Sequence, residues 1–117
     1  MPPDEQDAAY LLDMLHHARG ILRAVDTRTH DDYLDDEDLR LLVERRVLII
    51  GEAAHHVSQE FKDGHPQIPW HKIVGQRNIL AHAYGEIDDE IMWDAATISV
   101  PELVRFLETV LPASSQG

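Results

Sequence analysis

The chain has no cysteine among its 117 residues, which excludes a disulfide framework and a thiolate zinc site. It lacks long apolar runs: a stretch such as Val47 to Ile50 is far too short to span a bilayer. The start, Met1-Pro2-Pro3-Asp4, lacks the basic residues and apolar core of a signal peptide, so a cytoplasmic protein with no membrane partner is expected. There is no repeat, no low-complexity segment, no glycine-rich phosphate loop and no nucleophile elbow. Cations are scarce as well. Ten Lys and Arg face 22 Asp and Glu, a formal charge of −12, and a chain this acidic should bind bulk nucleic acid poorly.

What is present is enough for one domain. A length of 117 residues with 44% hydrophobic residues supports a single core, and residues 1–117 are read as one helical domain with frayed tails at 1–6 and 112–117. No alternating strand pattern of useful length occurs. From Asp7 to about Val25, an apolar stripe runs through Leu11, Leu15, Ala18, Leu22 and Val25 at three- and four-residue spacing. Thr27 to His30 breaks it. Asp35 or Asp36 offers an N-cap for a second helix reaching about Val57, striped by Leu39, Val43, Val47, Ile50, Ala54 and Val57. Phe61 to Pro66 reads as a loop. Pro69 suits the first position of a third helix, and Gly85 the left-handed position past its end. Asp88 is placed to cap a fourth helix. Ser99 with Glu102 predicts a capping box and a break or kink near Ser99. The expected fold is all-α, an antiparallel bundle of four to five helices.

One segment reads as chemistry. RNILAHAY, Arg77 to Tyr84, sets an arginine, an asparagine, a histidine and a tyrosine within about two helical turns. Arg77 is a planar fork suited to phosphate, and His82 can exchange protons near neutrality. The plainer alternative for both is a favourable charge at a helix end. On a straight helix Arg77 and Tyr84 lie within about 20° of each other, whereas Arg77 and His82 diverge by about 140°. Their convergence therefore requires an altered last turn or the same helix from a second subunit. Gly75, a mid-helix glycine, fits close approach either across a dimer or within one bundle. Asn78 is four residues before His82, a spacing that lets it orient the imidazole.

The cations are grouped. Arg40, Arg45 and Arg46, then His71, Lys72, Arg77 and His82, lie between the acidic clusters 31–38 and 86–90, leaving a local cationic cleft open. Arg45 and Arg46 read first as a solvated face. His16–His17 and His55–His56 point about 100° apart within each pair, so neither pair chelates alone. Trp70 and Trp93 read as core anchors. No metal site and no cofactor are called for.

The motif RNILAHAY, with IPWHKIVG upstream and GEID and Trp93 downstream, resembles the HepT-like proteins of the HEPN superfamily. LLVERRVLIIGEAAHHVS, from Leu41 to Ser58, resembles that family's second helix, so the likeness runs over most of the chain. The resemblance implies a HEPN-like helical bundle forming a twofold homodimer, with the motif at the shared cleft. It implies a metal-independent endoribonuclease in which Arg77 holds the scissile phosphate and His82 transfers the proton, with Asn78 supporting. DNA, lacking the 2′-hydroxyl nucleophile, would not be cut. It also implies the toxin of a type VII-like toxin–antitoxin pair, whose partner is a minimal nucleotidyltransferase (MntA-like) antitoxin that adenylylates Tyr84. The alternative is a non-catalytic helical subunit that binds nucleotide or partner for such a nucleotidyltransferase.

Overall fold

The computed structural model describes residues 3–82 and 87–112 and is helical with no strand among them. Helix α1 covers Glu5–Val25 and α3 covers Glu37–His56. These two pack together, α5 (Trp70–His82) packs on the other side of α3, and α7 (Val100–Val110) packs against α1. Short helices α2 (His30–Asp35), α4 (Gln59–Gly64) and α6 (Asp89–Asp94) complete the chain. The expected all-α bundle is therefore present. No helix among the described residues is long and apolar enough to cross a membrane.

The two long helices form where the stripes predict. Leu39, Val43, Val47, Ile50, Ala54 and Val57 are all buried, and each aliphatic side chain withdrawn from water contributes about 1.5–3 kcal/mol. In α1 the buried face is Leu11, Met14, Leu15, Ala18, Ile21 and Val25, so Ile21 takes the place expected of Leu22. The helix starts two residues before Asp7, because the Asp4 side chain accepts from the Asp7 backbone N–H at 2.7 Å. Residues 5 and 6 are thus helical rather than frayed. Asp7 is itself buried, and its carboxylate accepts from the Ser58 backbone N–H at 2.8 Å and the Ser58 hydroxyl at 2.6 Å. That pairing satisfies the charge and ties the starts of α1 and α4 together.

Three local expectations change. Thr29 and Asp32 form a capping box that starts α2 where a plain break was expected. Ser58 caps Phe61 and starts α4 inside the expected loop. Both helices are too short for periodicity to reveal them, so only their caps announce them. The predicted Ser99 capping box is absent: Ser99 makes no side-chain cap bond, and a π-helical turn, Ala95–Ser99, joins α6 to α7. Pro101 lacks the N–H that would donate to the Thr97 carbonyl, and the wider turn absorbs that loss. The predicted interruption near Ser99 is therefore a π turn within one helical run. Asp88 caps α6 as expected, accepting from Glu90 and Ile91 backbone N–H groups. Trp70 is buried with its indole N–H on the His65 carbonyl at 3.0 Å, while Trp93 is half-buried against Tyr33 and His30. Both act as packing anchors.

Candidate nuclease site

Helix α5 remains regular through His82, so no altered turn within residues 70–82 brings Arg77 and His82 together. Arg77 lies on the inner face, against α3. An added Cβ on Gly51 would sit 2.3 Å from the Arg77 Cβ and 3.0 Å from the Ile73 carbonyl oxygen. Gly51 thus permits a backbone approach that any larger residue would block. His82 is exposed on the outer side of the same helix. By helical geometry it falls within roughly 60° of Gly75 and Ile79. Ile79 is 56% exposed, and an added Cβ on Gly75 would meet nothing within 4 Å. Gly75 therefore makes no tight contact among the described residues.

The inner position gives Arg77 two partners. Its Nε donates to Glu52 Oε2 at 2.6 Å, and its Nη1 donates to Asn78 Oδ1 at 2.8 Å. Asn78 is therefore engaged with the arginine, not with His82. The other Glu52 oxygen, Oε1, lies 3.6 Å from Nε2 of His56. The His56 ring stacks on Tyr10 with centroids 5.3 Å apart. The hydrogen bond from Arg77, with the nearby cationic charge, holds the Glu52 carboxyl below the usual carboxylate range.

Arg77, Glu52, His56 and Tyr10 line one open groove of about 420 Å³, with α3 as its floor and α1 and α5 as its sides. Tyr10 and Asp13 face it from α1, Arg45, Glu52 and His56 from α3, and Arg77 from α5. His82 does not line it. Tyr84 and Gly85 lie outside the described residues.

The other cations do not gather here. Arg46 is drawn over Gly20 and donates to His17 Nδ1 at 2.9 Å. Burial, then the Arg46 charge, lowers the His17 pKa and keeps its nitrogen an acceptor. Arg40 donates to the Tyr33 and Leu34 carbonyls at the end of α2 and lies 3.9 Å from Asp89. His71 and Lys72 line separate depressions. The single cationic cleft left open by the sequence resolves into Arg45 and Arg77 in one groove, with Arg40 and Arg46 engaged elsewhere and His71, Lys72 and His82 outside it.

Gly51 and Glu52 as partners of Arg77, and Tyr10, Asp13 and His56 as groove residues, escaped the sequence reading. The available signal was Gly51-Glu52, a glycine and an acid set directly after the apolar run Val47 to Ile50 of α3.

The wider relationships agree with this architecture. The family model described as Ribonuclease HepT-like matches residues 14–110. A protein of Methanocaldococcus jannaschii named "Putative RNase" is 31% identical over 102 residues, covering 87% of this chain and 94% of its own. Another of that name, from Caldanaerobacter subterraneus subsp. tengcongensis, is 29% identical over 102 residues, covering 87% and 91%. A "Probable ribonuclease HepT" of Thermococcus cleftensis is 36% identical over 73 residues, covering 62% and 66%. No solved structure matches the chain. By the extent of the family match and the all-α bundle, the chain belongs to the ribonuclease HepT-like family of HEPN proteins.

Proposed function

We propose that the protein is a metal-independent endoribonuclease, acting as the toxin of a type VII-like toxin–antitoxin pair. The observation that carries this reading is Arg77, held in an open groove of a HepT-like chain with its guanidinium only partly engaged. The relatives' ribonuclease names point to the same chemistry.

Arg77 would hold the scissile phosphate and stabilise the charge that grows on its oxygens. His82 would remove the proton of the 2′-hydroxyl or supply one to the leaving 5′-oxygen, an effect typically worth about 10²–10⁴-fold. The 2′-oxygen attacks the neighbouring phosphorus as the bond to the 5′-oxygen breaks, leaving a cyclic phosphate and a free 5′-hydroxyl. DNA is spared because deoxyribose lacks the attacking oxygen.

Because α5 separates Arg77 from His82, a second copy is the natural source of the other half-site. The outer face carrying Gly75, Ile79 and His82 supports an isologous contact. Tyr84 would be the control point: the partner nucleotidyltransferase transfers AMP from ATP to its phenolic oxygen and releases pyrophosphate. The added phosphodiester would compete with RNA for Arg77.

A non-catalytic subunit for a nucleotidyltransferase is the second reading, favoured by the −12 charge. RNA cleavage assays with and without EDTA separate the two. The toxin reading expects cleavage that survives EDTA and falls at least about a hundredfold in Arg77→Ala and His82→Ala, while thermal unfolding is nearly unchanged. Cleavage by His82→Ala at the parent rate would overturn the assigned role of His82. Intact RNA throughout would leave the subunit reading.

A further inference from the structure

An acid is an unexpected resident of a groove meant for RNA. Glu52 nevertheless binds the arginine on which the proposed reaction depends, and three observations argue that it organises the site. The contact is short, with Arg77 Nε on Glu52 Oε2 at 2.6 Å. It is set by the backbone, because the neighbouring Gly51 lets α5 close until the Arg77 Cβ lies over this turn of α3. It also leaves the arginine usable. Glu52 takes Nε and Asn78 takes Nη1, so Nη2 remains for a phosphate oxygen. A guanidinium is a rigid plane, and pinning two of its nitrogens decides where the third is presented.

We propose that Glu52 is a positioning residue of the RNA-cleaving site, holding Arg77 by its Nε edge so that its remaining donors meet the scissile phosphate. The inference rests on the ribonuclease reading. His56, at 3.6 Å from the other carboxylate oxygen and stacked on Tyr10, limits the rotation of Glu52. The Glu52 side chain is 47% exposed, so the ion pair contributes little to folding stability. Its removal should therefore report on the site, not on the fold.

The sign of the Glu52→Gln effect is decisive. If the acid merely repelled RNA, its neutralisation would tighten RNA binding and leave kcat equal or higher. A positioning role expects the reverse balance: kcat falls by about tenfold, a fraction of the 10²–10³-fold seen when a donor to the reacting oxygen is removed. KM should stay within about twofold, with thermal unfolding unchanged.

A second arm does not depend on cleavage. In ¹⁵N spectra of the full chain, the Arg77 Nε–H should be shifted and protected, and should remain so when a 2′-O-methyl oligoribonucleotide is bound. In Glu52→Gln, whose neutral amide oxygen is the weaker acceptor, that protection should fall, and in Glu52→Ala it should be lost. Faster cleavage or tighter RNA binding with undiminished kcat in Glu52→Gln would overturn the proposal. So would RNA that strips Arg77 Nε away from Glu52, which would make the carboxylate a competitor for the arginine. A parent that binds the oligomer with the Nε–H intact but cuts no RNA would refute the ribonuclease reading, while the pairing itself stands.

Discussion

Gly51 and Arg77 meet so closely that a methyl on the glycine would lie 2.3 Å from the arginine Cβ. This contact joins α3 to α5 and determines where the arginine leaves its helix. The atoms beyond it, the Arg77 Cβ and the Ile73 carbonyl oxygen, belong to the stem and backbone of α5 and have little freedom to move aside.

Gly51→Ala should therefore destabilise the fold, even though alanine is the better helix former by about 1 kcal/mol. Overpacking at such a site costs about 1–3 kcal/mol, and the clash should win. A fall in Tm of several degrees, with weakened protection of the Arg77 Nε–H, is the expected result. A Tm equal to or above the parent's would show that α5 yields easily.

Gly75→Ala tests the outer face of α5. Its added methyl meets nothing within 4 Å among the described residues, so a lone protomer should gain up to about 1 kcal/mol. If the proposed dimer uses this face, the same methyl should weaken association. Light scattering across a dilution series should show the parent at twice its 13.3 kDa mass and the variant dissociating at higher concentration. A parent that remains monomeric at micromolar concentration while cutting RNA would remove the shared-cleft argument.

Tyr84→Phe tests the proposed control point. Incubation with a cognate nucleotidyltransferase, ATP and magnesium should add adenylyl mass to the parent and silence it. The phenylalanine variant keeps the ring but lacks the acceptor oxygen, so it should resist modification and keep cleaving. Modification of the variant at full extent would move the switch to Tyr10, which lines the groove, since Tyr33 is fully buried.

Glu44 supplies a pH test. Burial first, then the Asp89 charge, raises its pKa, against the opposing effect of Arg40. A carboxyl whose folded pKa is raised holds its proton more tightly when folded. Its contribution is thus full below the unfolded value and lost as pH rises through the folded value. Glu44→Gln should accordingly raise Tm at pH 7, with the gain shrinking as pH falls through the carboxylate range. A difference independent of pH would rule out titration of Glu44 as its origin.

The long helices were legible because burial repeats with helical period: Leu39, Val43, Val47, Ile50, Ala54 and Val57 are adjacent on one face whatever the tertiary arrangement. Asp88 was legible as a cap, and Asp36 as one of two candidates with Asp35, because capping is a local bond. Helices α2 and α4 were not, since six residues carry too little periodicity to distinguish a turn from a loop. The π turn escaped because Pro101 signals a lost hydrogen bond without saying how the backbone will replace it.

The candidate site divides along the same line. Residue types and spacing within Arg77–Tyr84 are properties of the chain, and so is the 140° divergence of Arg77 from His82 on a regular helix. What the arginine touches is not. Glu52 precedes Arg77 by 25 residues and Tyr10 precedes His56 by more, and no local rule couples such positions. Asn78 shows the contrast most directly: local spacing pointed it at His82, but the inward turn of Arg77 against Gly51 brought the guanidinium to its carbonyl oxygen. Sequence alone determined the two long helices, their core stripes and the candidate side chains of the motif. Packing of α5 on α3 decided which carboxylate orients the arginine, because helix separation is set by the side chain that is missing at Gly51.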